Sequence, residues 1–144
     1  MLAKEEIASS TENHTNCPFC TIFRDNQREF IIKDRETTAL ILSLEGHPLI
    51  VPKKHVRFED IDPELASNLG QDIFKYTPRI IEIYQTEGLN ILTNIGRAAG
   101  QDIEHFHIHL IPRIIGDNKV NLNGLVRISD RKRRDIMLKF QDPL

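Results

Sequence analysis

A chain of 144 residues builds one core and leaves no room for a second, and its two cysteines are too few for a disulfide framework. Lysine and arginine number 19 against 21 aspartates and glutamates, a formal net charge of −2 that excludes a general attraction to nucleic acid or to an anionic membrane. No apolar run approaches the roughly 18 residues of a membrane span, and residues 1–14 lack the apolar stretch of a secretory signal; the expectation is a cytoplasmic protein with a flexible N-terminal tail over 1–14 and no membrane partner.

In chain order, Cys17-Pro18-Phe19-Cys20 comes first and reads as a dithiol or as half of a metal site. "EFIIKDRETTALILSL" predicts two short strands around a turn at Lys33-Asp34-Arg35, and "HPLIVPKKH" a third strand closed by Pro52. Asp62-Pro63-Glu64 is a helix start, with a capping carboxylate and a proline at the first helical position. The helical pattern runs to about Thr86, with Pro78 expected to kink it and Gly88 to end it. "LNILTN" and "EHFHIHLIPR" predict an antiparallel pair joined by the Gly96-to-Gly100 loop. The fold class is therefore α+β: an antiparallel sheet of about five strands, one long helix and a shorter C-terminal helix. That last helix carries the basic run Arg131-Lys132-Arg133-Arg134, read as a solvated face rather than a nucleic-acid site.

The chemistry concentrates in "GQDIEHFHIHLIPR", where three of the six histidines, His105, His107 and His109, occupy alternate positions. On a strand, alternate side chains share a face, so the imidazoles line one side while Phe106, Ile108 and Leu110 pack the other. Such a row suits either metal ligation or nucleophilic attack on phosphorus. The preceding "NIGRAAGQ" favours phosphate: Gly96 and Gly100 permit close backbone approach, Asn94 and Gln101 are amide donors, and Arg97 is a mobile cation.

"GQDIEHFHIHLIPR", preceded by "GLNILTNIGRAAG" and further upstream by "GHPLIVPKKH", resembles the histidine triad (HIT) family, whose pattern His-φ-His-φ-His-φ-φ, with φ apolar, is matched from His105 to Ile111. The resemblance implies a HIT domain over 15–116 with a C-terminal extension over 117–144, and a homodimer. It implies a hydrolase or transferase that takes a small nucleotide, a phosphoramidate or a dinucleoside polyphosphate, and cleaves it at the α-phosphorus through a nucleotidyl-histidine. His107 would then be the nucleophile. His109 would hydrogen-bond the phosphate or leaving group, Asn94, Gly100 and Gln101 would hold the phosphate oxygens, and His47 would support the triad from beneath. Zinc-containing members complete a cysteine pair with two histidines, which implies a structural Zn²⁺ on Cys17, Cys20, His55 and His105. A nucleotide-binding protein of the same fold with weak or no turnover is the alternative.

Two positions depart from the family's pattern. Asp102 stands where a serine or threonine usually follows "GQ". The stretch Ser43-Leu44-Glu45 runs straight into Gly46-His47, without the usual ribose-binding aspartate, and Glu45 is the nearest replacement.

Overall fold

The computed structural model describes residues 16–119 and 125–141; the expected tail at 1–14 lies outside the described residues. Five strands, β1 (Ile31–Asp34), β2 (Thr38–Leu42), β3 (Pro48–Pro52), β4 (Gly88–Leu92) and β5 (Ile108–Arg113), form one sheet in the order β1-β2-β3-β5-β4. Every neighbouring pair is antiparallel. Among the described residues three α-helices accompany it, α1 (Pro18–Arg24), α2 (Pro63–Tyr84) and α3 (Asp130–Lys139). This is the expected α+β architecture.

The central strands β2 and β3 are buried along their whole length, which is why "ALIL" and "LIVP" read as continuous apolar runs. Alternation sorts their side chains onto two faces. Leu40 and Ile50 join Ile108 and Leu110 beneath α2, whose Leu65, Leu69, Tyr76 and Ile80 recur at helical spacing. Ala39, Ile41, Leu49 and Val51 face the other way, against Cys17 and Phe19 of the α1 segment. The helix side is thus all core, whereas the α1 side carries the chemistry.

Helix α2 begins as expected: the Asp62 carboxylate accepts from the Leu65 N–H at 2.8 Å, and Pro63 occupies the first helical position. It runs through Pro78 and stops at Tyr84, where Gln85 adopts a left-handed conformation, so Gly88 opens β4 instead of ending the helix. Asp72, fully buried on α2, accepts from Arg35 at 2.5 Å and from the Thr38 hydroxyl at 2.6 Å, so the charge is paired and hydrogen-bonded.

The basic run near the C-terminus does not behave as a uniform solvated face. Arg131 and Lys132 are exposed, but Arg133 is buried: its Nε donates to the Ser43 carbonyl at 3.0 Å, its Nη2 to the Leu42 carbonyl at 2.8 Å, and its guanidinium lies 3.6 Å from the centre of the Phe30 ring. The Leu42 carbonyl stands at the last residue of β2, opposite Pro48, which has no N–H to give, and the Ser43 carbonyl also accepts from the Gly46 N–H at 3.1 Å; a planar cation with several donors reaches both at once. Gly46 lies in the same turn with φ of +92°, and a Cβ there would come within 2.7 Å of Ile128 Cδ1, so α3 and the segment before it pack directly on the shortened loop.

Candidate functional site

The alternating histidines are brought together, although β5 starts only at Ile108. His105 and His107 lie just before it, the first at the end of a bend and both outside the ladder, in chain whose hydrogen bonds go elsewhere: the Phe106 N–H donates to the Val56 carbonyl at 2.9 Å, and the Thr93 hydroxyl donates to the His107 carbonyl at 2.7 Å. Phe19 packs edge-on against both rings, with centroids 5.3 Å from His105 and 5.1 Å from His107.

Each ring's tautomer follows from its partners. A carbonyl can only accept, so His107 Nδ1, 2.7 Å from the His105 carbonyl, carries the proton and Nε2 keeps a lone pair. His105 Nε2 likewise donates to the Pro52 carbonyl at 2.7 Å, which turns the Nδ1 lone pair toward Cys17 Sγ at 3.4 Å and Cys20 Sγ at 3.6 Å. His47 Nε2 and His109 Nδ1 are 2.9 Å apart, while His47 Nδ1 is buried without a partner. A buried orphan N–H is rarer than a buried orphan acceptor, so the shared proton belongs on His47 Nε2. His109 then carries its own proton on Nε2 and is a donor.

Burial favours the neutral form of His47, His107 and His109. It lowers His107, pushes His109 down to about 4 with help from His107, and pushes His47 down to about 3 with help from His109. A free imidazole titrates at 6.5, so folding selects the neutral form; this contribution to stability is complete above pH 6.5 and is lost as the pH falls toward 4. Unfolding free energy measured by denaturant is therefore expected to drop between pH 7.5 and 4.5, and His47→Gln should remove roughly 1–3 kcal/mol of that drop. An identical pH slope in parent and variant would rule out His47 as a source.

A cavity of about 680 Å³ opens over His107 and His109. Its wall is apolar on one side, with Phe19, Phe30 and Leu49, and carries Glu45, Asp102 and Arg133 as well. His107 Nε2 has no hydrogen-bond partner among the described residues and lies open to this space. Glu45 thus shares the cavity with the imidazoles, and His47 lies behind His109. The loop donors are placed differently. Asn94, Gly100 and Gln101 are not among the lining residues, and Gln101 braces the loop, accepting from the Gly96 N–H at 2.8 Å and donating to the Ile103 carbonyl at 2.9 Å. Asn94 Nδ2 points to the Gly100 carbonyl at 3.5 Å.

The second constellation is complete. One ligating atom each from Cys17, Cys20, His55 and His105 lies within 4.8 Å of the other three, and Cys20 Sγ is 3.2 Å from His55 Nδ1. Two thiols and two imidazoles at these separations, with the His105 lone pair already aimed, fit a tetrahedral metal. Both cysteines are free thiols, as their spacing implied. His105 serves both constellations: its ring faces the sulfurs and its carbonyl sets the tautomer of His107. Phe19, Thr93 and Arg133 were not anticipated from the sequence, because each acts on a partner distant along the chain; only the apolar residue inside Cys-Pro-Phe-Cys hinted at one of them.

An antiparallel five-stranded sheet with a triple imidazole beside a Cys₂His₂ cluster defines a histidine triad protein. The HIT domain family matches residues 21–115, and the chain belongs to it. It is 34% identical over 119 residues to a HIT-like protein of Methanocaldococcus jannaschii, covering 79% of this chain and 92% of that one. It is 31% identical over 111 residues, 70% of this chain and 72% of the other, to a Candida albicans protein named adenosine 5′-monophosphoramidase. Among solved structures, a Zn-bound histidine triad family protein from Mycobacterium smegmatis superposes with a TM-score of 0.75 at 27% identity, covering 90% of this chain and 93% of that one.

Proposed function

We propose that this protein is a nucleotidyl hydrolase or transferase that attacks the α-phosphorus of a nucleoside phosphoramidate or dinucleoside polyphosphate. The observation that carries the reading is the 2.7 Å hydrogen bond from His107 Nδ1 to the His105 carbonyl, which leaves the Nε2 lone pair open to a cavity of about 680 Å³. In the first step that lone pair forms an N–P bond, the bond from phosphorus to the leaving group breaks, and its electron pair departs with the leaving atom, which takes a proton from solvent. The His107 ring is then cationic and its Nδ1–H strengthens the bond to the His105 carbonyl. Water next attacks phosphorus, the N–P electron pair returns to Nε2, and the surplus proton passes to solvent.

His109 would hold a phosphate oxygen or the leaving group through Nε2–H, positioned by His47. Gln101 keeps one amide hydrogen beyond its bond to Ile103, and with Gly100 and Asn94 would bind the other oxygens once substrate draws the loop in. The Cys17, Cys20, His55 and His105 cluster would hold Zn²⁺ as a structural ion, since four protein ligands leave no position for water. Residues 15–116 form the proposed catalytic unit, and from the extension at 117–144 Arg133 contributes to one wall of its pocket. A second copy would join at β4, the sheet edge, where Ile91 is 51% exposed.

Glu45 would accept from the ribose hydroxyls in place of the absent aspartate. A charged acceptor left unpaired by the deoxy analogue costs roughly 1.5–3 kcal/mol, so the parent is expected to prefer a ribonucleotide over its 2′-deoxy counterpart by about tenfold or more in kcat/KM, and Glu45→Gln to lose that preference. A preference unaffected by the substitution would assign the contact to another group.

The decisive experiment is incubation with adenosine phosphoramidates and dinucleotides followed by intact-mass analysis for a nucleotidyl adduct. An adduct supports the enzyme. Nucleotide binding without an adduct or turnover supports the alternative of a binding protein, to which Asp102 in the cavity wall lends weight.

A further inference from the structure

We infer that Asp102 selects the charge of the leaving group, admitting nucleoside phosphoramidates that release an amine and turning away anionic leaving groups such as phosphate chains. The inference rests on the proposed nucleotidyl transfer and deepens it.

Asp102 lines the same cavity as His107 and His109, and its side chain is exposed to the space a leaving group would enter. This carboxylate lies three residues before the first of the three histidines and shares the cavity with both the attacking nitrogen and the neighbouring donor. The other charged groups of the cavity wall do not cancel it. Glu29 pairs with Arg134 at 2.5 Å, and Glu45 adds a further carboxylate. Arg133 is the one lysine or arginine among the described lining residues; three of its five donors go to the carbonyls of Ser43 and Leu42 and to Asp130, and its charge is paired with the Asp130 carboxylate at 3.3 Å. Lys119 sits in a smaller cleft that His47 also lines, and Arg97, exposed in the Gly96–Gly100 loop, does not line the cavity and would approach it only as substrate draws that loop in.

A polyphosphate chain would therefore bring several negative charges to a wall where, among the described residues, the one guanidinium is already paired with Asp130 and the carboxylates of Glu45 and Asp102 share the cavity with the reacting centre. An amine does the reverse. When the P–N bond of a phosphoramidate breaks, its electron pair stays on nitrogen, which takes protons from solvent and emerges as an alkylammonium attracted to Asp102. The same carboxylate favours the cationic nucleotidyl-His107 whichever group leaves, so only the ratio between leaving groups isolates the selection.

The test compares kcat/KM for a lysine-amide phosphoramidate of adenosine 5′-monophosphate with that for diadenosine tetraphosphate, in the parent, Asp102→Asn, Asp102→Ser and Asp102→Glu, at low and high salt. The parent is expected to favour the phosphoramidate. Asp102→Asn and Asp102→Ser should reduce that ratio by roughly fivefold, a modest change because the carboxylate is exposed, while Asp102→Glu retains it and high salt narrows the gap. A ratio unchanged within twofold in Asp102→Asn overturns the inference, as does an equal change for both substrates. Intact-mass analysis separates this failure from that of the underlying reading: an adduct on His107 with an indifferent ratio removes only the role of Asp102, whereas no adduct from either substrate removes both.

Discussion

Replacing His107 with alanine is expected to reduce turnover by roughly three orders of magnitude or more while the protein stays folded and still binds nucleotide. The reason is specific to this imidazole. It is the nitrogen with a lone pair on the cavity and a proton fixed on its other side, and no neighbouring ring can take its place: His105 faces the thiols and His109 shares its Nδ1 with His47. Removing a covalent nucleophile removes the pathway and not merely one contact. The structural cost should be modest, about 1–3 kcal/mol, from the lost bond to the His105 carbonyl and the lost packing on Phe19. His109→Ala should be milder, losing about ten- to a hundredfold, since it removes a hydrogen bond to the phosphate. Turnover in His107→Ala within tenfold of the parent, by steady-state assay, would exclude it as the nucleophile.

The second large effect concerns the Cys₂His₂ cluster. The purified protein is expected to carry about one Zn²⁺ per chain, and Cys20→Ser or exhaustive chelation to lower the melting temperature by more than about 10 °C. The four residues come from the α1 segment, from the stretch after β3 and from the one before β5, so one ion would tie together three parts of the chain distant in sequence. Without it, burial pushes the Cys20 thiol up to about 12, so uptake of the ion must displace a proton and affinity should weaken as the medium becomes more acid. The chemical step should suffer less than stability, because the His105 carbonyl that orients His107 belongs to the backbone. Zinc content by mass spectrometry and a melting curve before and after chelation, with zinc added back, check the claim; an unchanged melting temperature in metal-free protein would refute it.

Most of this was legible in the sequence where a pattern is local. Alternation placed Phe106, Ile108 and Leu110 in the core and the imidazoles opposite, and Asp62-Pro63 marked the start of α2 to the residue. What escaped depends on partners far along the chain. Glu104 to His107 reads as strand, yet the regular ladder begins at Ile108, because His105 is held by the carbonyl of Pro52 and Phe106 by that of Val56. Arg133 reads as one of four solvated cations, and only the carbonyls of Leu42 and Ser43 explain its burial. The "NIGRAAGQ" loop reads as a row of phosphate donors, but an unfilled glycine loop must first satisfy its own backbone, and Gln101 does so.

The position of Arg133 also gives the protein a history. The guanidinium that seals the end of β2 is made 90 residues after the Ser43 carbonyl it binds. On a growing chain the residues of the sheet, the thiols and the imidazoles are all translated before α3, but the last strand leaves the ribosome only as α3 itself is completed. Until α3 docks, the two carbonyls at the end of β2 that its guanidinium binds must find other donors or water.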